Sequence, residues 1–338
     1  MKRTVYLLLV FTLSLSLLMG CTQVGKTEDV GTEQWVSTGV NIATLSGLPA
    51  VAISKLYKES PVGDNSITSY GIEYTRDELY SALIEGDPDI AIVTPDMAAR
   101  AYNKNGKYKV IGTVGMSSAY LVSSDAKVNS ISDLRGKEVS VFSYTDVSQN
   151  LSQIALEENG IMRGDIDLKT IDVSSYAGTE QDIIDDEIDE DNFNGFIPEP
   201  LLTNVLQNVK NIRIVKSLND SWMEENQGAR GCPEYSLVMK TDFIKANENI
   251  VETFTKELSE SIDWANKNPD QVVKLLKDKD FLKDEFIDSD TIERSNLKFM
   301  PIDKMVVDYN DYYKQIFCLD SVYEDERVPD DSMYYIED

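Results

Sequence analysis

Small hydroxyls, carboxylates and a few aromatics recur at the ends of short apolar runs, where a chain can present them to a ligand. The first group is Ser46, Gly47 and Leu48 in "TLSGLPA". It precedes a helix opened by Pro49, a residue that suits the first turn. Hydroxyl and amide groups at such a start suit a polar or anionic group; Ser46 as a plain helix cap is the competing reading. Thr94 and Asp96 in "TPDMA" form the second group. Asp96 reads as a helix N-cap, and facing a ligand it would favour a cation or a hydrogen-bond donor. "GMSSAY" offers Ser117, Ser118 and Tyr120, and "SYTDVSQ" offers Ser143, Tyr144 and Thr145, with Asp146 and Gln149 reading as a capping box. Glu199 in "PEP" is an acceptor for an amine or amide. Trp222 could stack on a planar solute or fill the core. Arg230 could clamp a carboxylate or sulfonate through two hydrogen bonds or sit in a surface ion pair.

The chain has no histidine among its 338 residues. That removes serine–histidine and cysteine–histidine catalysis, histidine proton shuttles and most zinc sites. The acidic run "DIIDDEIDED" lacks the alternating ligands and central glycine of a calcium loop and reads as a solvated helix face. We therefore expect a binding protein rather than an enzyme, with no cofactor and no metal. The net charge of −27, from 32 cations against 59 acids, opposes nucleic-acid binding and favours solubility.

The first residues carry a different chemistry. Lys2 and Arg3 precede an apolar run from Val5 to Leu18, too short to span a bilayer comfortably. A charged start, a short apolar core and a small residue before a cut form the plan of an export signal. The tetrapeptide Leu18-Met19-Gly20-Cys21 resembles a bacterial lipobox, which implies a signal peptide over residues 1–20 and lipidation of Cys21. The polar stretch that follows, residues 21–35, reads as a flexible tether. Outside the cytoplasm Cys232 and Cys318 could pair or stay free.

Behind the tether, 42% hydrophobic content supports a sizeable core. Strand-like runs alternate with helical ones from Val40: "VNIATL", a helix over 49–59, "SITSYGIE", "RDELYSALIEG", "DIAIVTP", "DMAARAYNK" and "YKVIGTVGM". This rhythm predicts a parallel sheet flanked by helices. It restarts at "AYLVSSD" and runs to "NIRIVKSL", giving a second unit of similar size. One more strand, "YSLVMKT", precedes long helices, with Val251, Phe254, Leu258, Ile262 and Ala265 on one stripe and Val306, Tyr309, Tyr313 and Ile316 on another. We expect one lobe from 36–117 and 226–338 and a second from 118–225, with a ligand between them.

Several stretches are similar to one family. "GDPDIAIVTPDMAARAYNK", "ISDLRGKEVSVFS", "GFIPEPLLTNVL", the long "YSLVMKTDFIKANENIVETFTKELSESIDWANKNPDQVVKLL" and the tail "VPDDSMYY" resemble, in order, the substrate-binding lipoproteins of nitrate-, sulfonate- and taurine-type ABC importers. The resemblance runs from about Val40 to the C-terminus. It implies an α/β type II periplasmic-binding-protein fold, two lobes joined by a two-strand hinge with a ligand cleft between them. It also implies a monomer held at the extracytoplasmic face of a bacterial membrane through Cys21, delivering a small molecule to an ABC permease. An organic anion and a heterocyclic vitamin-precursor-like solute are both open. Competing functions are a ligand-sensing or adhesive surface lipoprotein, and an enzyme of the pyrimidine-precursor synthase or menaquinone-pathway type on the same fold.

Overall fold

The computed structural model describes residues 39–59, 68–73, 75–175, 179–247, 249–279, 281–282, 287–319 and 327–337. The export signal, Cys21 and the tether lie outside the described residues. Among the described residues eleven strands form: β1 (Val40–Leu45), β2 (Thr68–Glu73), β3 (Ile90–Val93), β4 (Tyr108–Met116), β5 (Ala119–Ser123), β6 (Glu138–Ser143), β7 (Asp167–Asp172), β8 (Asn194–Pro198), β9 (Arg213–Ser217), β10 (Pro233–Lys240) and β11 (Leu297–Pro301).

They make two sheets. One has the order β11-β4-β10-β3-β1-β2 and the other β7-β6-β8-β5-β9. Each sheet with its helices is one lobe. The chain passes from the first to the second between Met116 and Ala119, and returns through β9, a helix Leu218–Glu225 and β10.

Neither sheet is wholly parallel, which corrects the expectation. β1 runs parallel to β2 and β3, but β10 runs antiparallel to β3 and β4. In the second sheet β6 is parallel to β7 and β8, while β5 is antiparallel to β8 and β9. The odd strands flank the passages between lobes. A strand entering a lobe from its neighbour arrives without the helical crossover that parallel pairing needs. β11 is an addition that the sequence reading left out. It lies so close on β4 that a Cβ at Gly112 would come within 2.5 Å of the Met300 carbonyl oxygen.

Elsewhere local chemistry explains the elements. The helix Arg76–Glu85 opens with a Thr75–Glu78 capping box and closes on Gly86 in the left-handed region, φ 84°. Its Leu79 and Leu83 are buried, a four-residue spacing that keeps both on one face. Phe254, Leu258, Ile262 and Ala265 of the helix Ile250–Lys267 are buried as a stripe beside β1 and β3 side chains. Tyr309, Tyr313 and Ile316 pack with core residues drawn from both lobes, including Leu121 and Val139. The acidic helix Glu180–Glu187 buries only Ile183 and Ile184 and leaves most of its carboxylates in water.

Candidate functional site

The loops that follow β3 and β6, and the start of β10, meet at the seam between the lobes. Thr94 holds the N-cap position of the helix Pro95–Asn105 without a side-chain capping hydrogen bond, so Pro95 takes the first position and Asp96 the second. Thr145 caps the helix Asp146–Glu158 in the same way. Glu234 stands at the second position of β10. Its Oε1 accepts a hydrogen bond from Thr145 Oγ1 across the seam at 3.1 Å.

Two further contacts cross the seam. Arg76, at the head of its helix, places Nη1 2.6 Å from Asp146 and Nη2 3.8 Å from Asp172. Arg294 places Nε 2.7 Å from Glu199 Oε1, and its Nη2 donates to Thr203 Oγ1. Glu199 Oε2 also accepts from the Thr203 N–H at 3.0 Å and its hydroxyl at 2.8 Å.

Burial raises three of the acids at the seam. Burial pushes Asp96 up to about 6, with Asp146 adding to the rise and Arg100, Thr94 and Arg76 opposing it. Burial pushes Glu234 up to about 7 against the hydroxyls of Thr145 and Ser117. Burial likewise takes Glu199 to about 7, with Arg294 and Thr203 pulling it down. Desolvation penalises the charged form, so these carboxylates hold protons into the neutral range. Tyr312 lies in the same cluster, where burial and the charges of Asp96 and Glu234 push its phenol up.

Residues 77–272, more than half of the sequence, match the family model described as NMT1/THI5 like. The chain belongs to that family. Among curated proteins no sequence matches it. Solved structures resemble it along nearly its full length. An ABC transporter protein from Parabacteroides distasonis superposes with a TM-score of 0.70 at 19% identity, covering 89% of this chain and 100% of its own. The periplasmic aliphatic sulphonate binding protein of Escherichia coli gives 0.61 at 15%, covering 87% and 92%. A Candida albicans protein described as having the generic periplasmic binding protein fold gives 0.51 at 12%, covering 87% and 93%. The fold is thus the two-lobe, type II periplasmic-binding-protein fold.

The NMT1/THI5-like chain disposes the expected site residues unevenly. Thr94, Asp96, Ser117, Ser143 and Thr145 are buried along the seam. Asp96 is not the N-cap expected of it. Proline at the first helical position moves the cap back to Thr94, whose backbone is extended. The Asp146–Gln149 capping box is absent too: Thr145 holds the cap position and Asp146 turns to Arg76. Nor is Ser46 the cap of its helix, since Gly47, at φ 81°, takes that place ahead of Leu48.

The remaining expectations meet structural partners. Ser117 donates its N–H to the Cys232 carbonyl at 2.9 Å, and Ser118 accepts from the Glu199 N–H at 3.0 Å, so the passage between lobes is pinned on both sides. Tyr120 donates to the Arg294 carbonyl at 3.0 Å. Tyr144 donates to Glu180. Glu199 is taken up by Arg294 and Thr203, which leaves it a structural anchor rather than a spare acceptor. Trp222 is 1% exposed and packs edge-on against Tyr312, ring centroids 6.4 Å apart, as a core residue. Arg230 is exposed; its backbone N–H donates to Asp308 Oδ1 at 2.9 Å. Cys232 is a free buried thiol, and the side chain of Cys318 lies outside the described residues.

Arg76, Glu234 and Arg294 are the residues that sequence reasoning missed. Arg76 had a signal, because it follows β2 at the carboxyl edge where open α/β sheets bind ligands. Glu234 had one too, as a lone acid at the head of a buried strand. Arg294 had none. A separate surface pocket of about 250 Å³, lined by Asn266, Ile292, Glu293, Asn296 and Leu297, includes none of the seam carboxylates.

Proposed function

We propose that this chain is the solute-binding component of an ABC importer, exported, lipidated at Cys21 and held at the extracytoplasmic face of the membrane. It takes one small molecule between its lobes and presents the closed form to a permease. The observation that carries this reading is the seam itself. Groups from both lobes converge there, Thr145 on Glu234 and Asp146 on Arg76, so a solute bound there would be gripped from two sides. The membership of the family, the fold and the lipobox-like "LMGC" support it. The sulphonate binding protein among its structural neighbours shows that this fold hosts small-solute capture.

A thermal-shift panel on the mature chain carrying Cys21→Ser tests the proposal. It holds alkyl sulfonates, nitrate, heterocyclic vitamin precursors, amino acids and polyamines. A solute at a hundred times its dissociation constant adds about 2.7 kcal/mol and raises Tm by several degrees. A panel without a responder, on a chain that native mass spectrometry shows to be empty, would reject the receptor reading.

A further inference from the structure

We propose that the interlobe cleft takes a compact organic cation, whose ammonium or amidinium group binds between Asp96 and Glu234. This inference rests on the receptor reading above and names the chemistry of its solute.

The two carboxylates are neighbours by register. Ser236 pairs with Val93 in the antiparallel β10–β3 ladder. Glu234 lies two residues beyond that pair on one strand and Asp96 three beyond it on the other, and the charge of Asp96 adds to the rise of the Glu234 carboxyl. Both acids are 4% exposed. Glu234 Oε1 is engaged by Thr145, but Glu234 Oε2 and Asp96 Oδ1 have no hydrogen-bond partner among the described residues. A buried carboxylate oxygen without a donor is costly, and native structures rarely leave one so. Two of them in one cluster can accept from an occupant that donates, beside the equally open hydroxyls of Thr94 and Tyr312.

Charge points the same way. The groups facing Asp96 are Arg76 and, one turn along its own helix, Arg100, both in its own lobe, and Asp146 across the seam, with Asp172 beside Arg76. Four carboxylates thus meet two guanidiniums. Arg76 is already shared by Asp146 and Asp172, which leaves Arg100 as the other cation acting on Asp96. Above these raised values, with Asp96 and Glu234 ionised, an organic anion would enter an excess of negative charge, whereas a cation would relieve it. Amidinium and ammonium groups add N–H donors for the two open oxygens, and a carboxylate pairs with such donors through charge-assisted hydrogen bonds.

Isothermal titration of the mature chain carrying Cys21→Ser tests the inference. The probes are benzamidine and agmatine, with tetramethylammonium as a cation lacking N–H donors, and taurine and methanesulfonate as anions. Benzamidine or agmatine binds one per chain, and tetramethylammonium and the anions do not. Asp96→Asn and Glu234→Gln, near-isosteric changes, each weaken that binding at least tenfold. Titration at two pH values adds a readout independent of folding: wild-type affinity for the cation rises from pH 5 to pH 8, and this rise shrinks in both variants. Binding of taurine or methanesulfonate without the cations would overturn the ligand class and leave the receptor reading standing. Silence from every probe would overturn the inference, and a thermal-shift responder of other chemistry would show the receptor reading to survive it.

Discussion

The guanidinium of Arg76 in one lobe stands 2.6 Å from the carboxylate of Asp146 in the other, joining the two halves of the molecule beside the buried acids. The side chains are 30% and 39% exposed, so water screens the pair and its worth is about 1 kcal/mol at most. That is still up to a fivefold bias toward the closed arrangement. Arg76→Ala should therefore shift the ligand-free chain toward open forms, read as a larger radius of gyration in solution scattering, with only a small loss of stability. High salt should act on the wild type in the same direction. Identical scattering from the two proteins would show that the pair does not hold the lobes.

Arg294 should behave differently, because its partner is fully buried. Glu199 has no exposed side-chain surface and already accepts two hydrogen bonds from Thr203. Removing the cation leaves a buried acid without its main charge partner. Arg294→Met should cost about 3 kcal/mol in urea unfolding. Glu199→Gln in the same background should recover part of that loss, because the two changes share one contact. Additive losses would contradict the pairing.

Three buried acids set a pH dependence. Asp96 is raised to about 6 and Glu199 and Glu234 to about 7, by burial in each case. An acid whose folded value exceeds its unfolded one binds its proton more tightly in the folded chain. Its contribution is complete below the unfolded value, about 4, and is lost as pH rises through the folded one. The Tm of the ligand-free chain should fall between pH 4.5 and pH 8, and Asp96→Asn with Glu234→Gln should flatten the slope. A Tm that rises across this window would contradict the burial of these groups.

Much of the fold was legible because local chemistry decides it. "VNIATL" and "YKVIGTVGM" occupy β1 and β4 to the residue, and Gly86 stops its helix as glycine should. Strand direction was not legible. The pairing of β10 with β3 and β4 joins residues more than a hundred positions apart, which no local pattern encodes. The site divides along the same line. Hydroxyls at strand ends such as Thr94, Ser117 and Thr145, proposed from position alone, are buried along the seam. Asp96 and Asp146 were misread as caps, although the proline and threonine just ahead of them carried the correction. Arg76 meets Asp146 over 70 positions, and Arg294 meets Glu199 over 95. Such pairs exist only after the lobes have folded.

Cys21 lies at the other end of the account. Its "LMGC" setting predicts a thiol carrying diacylglycerol after cleavage, and a single lipid attachment sets where the protein resides. Cys21→Ser should move the chain from the membrane to the soluble fraction, and intact-mass analysis of the wild type should show a lipid-modified N-terminal cysteine. A wild-type chain found unmodified and soluble would refute the anchor.

Native mass spectrometry of the mature chain carrying Cys21→Ser, with the solute that raises its Tm most, tests the central claim most directly. The account predicts one unaltered solute per chain, lost when Asp96 and Glu234 are both neutralised. A chain that stays empty at saturating solute, or that releases a chemically changed product, would contradict it.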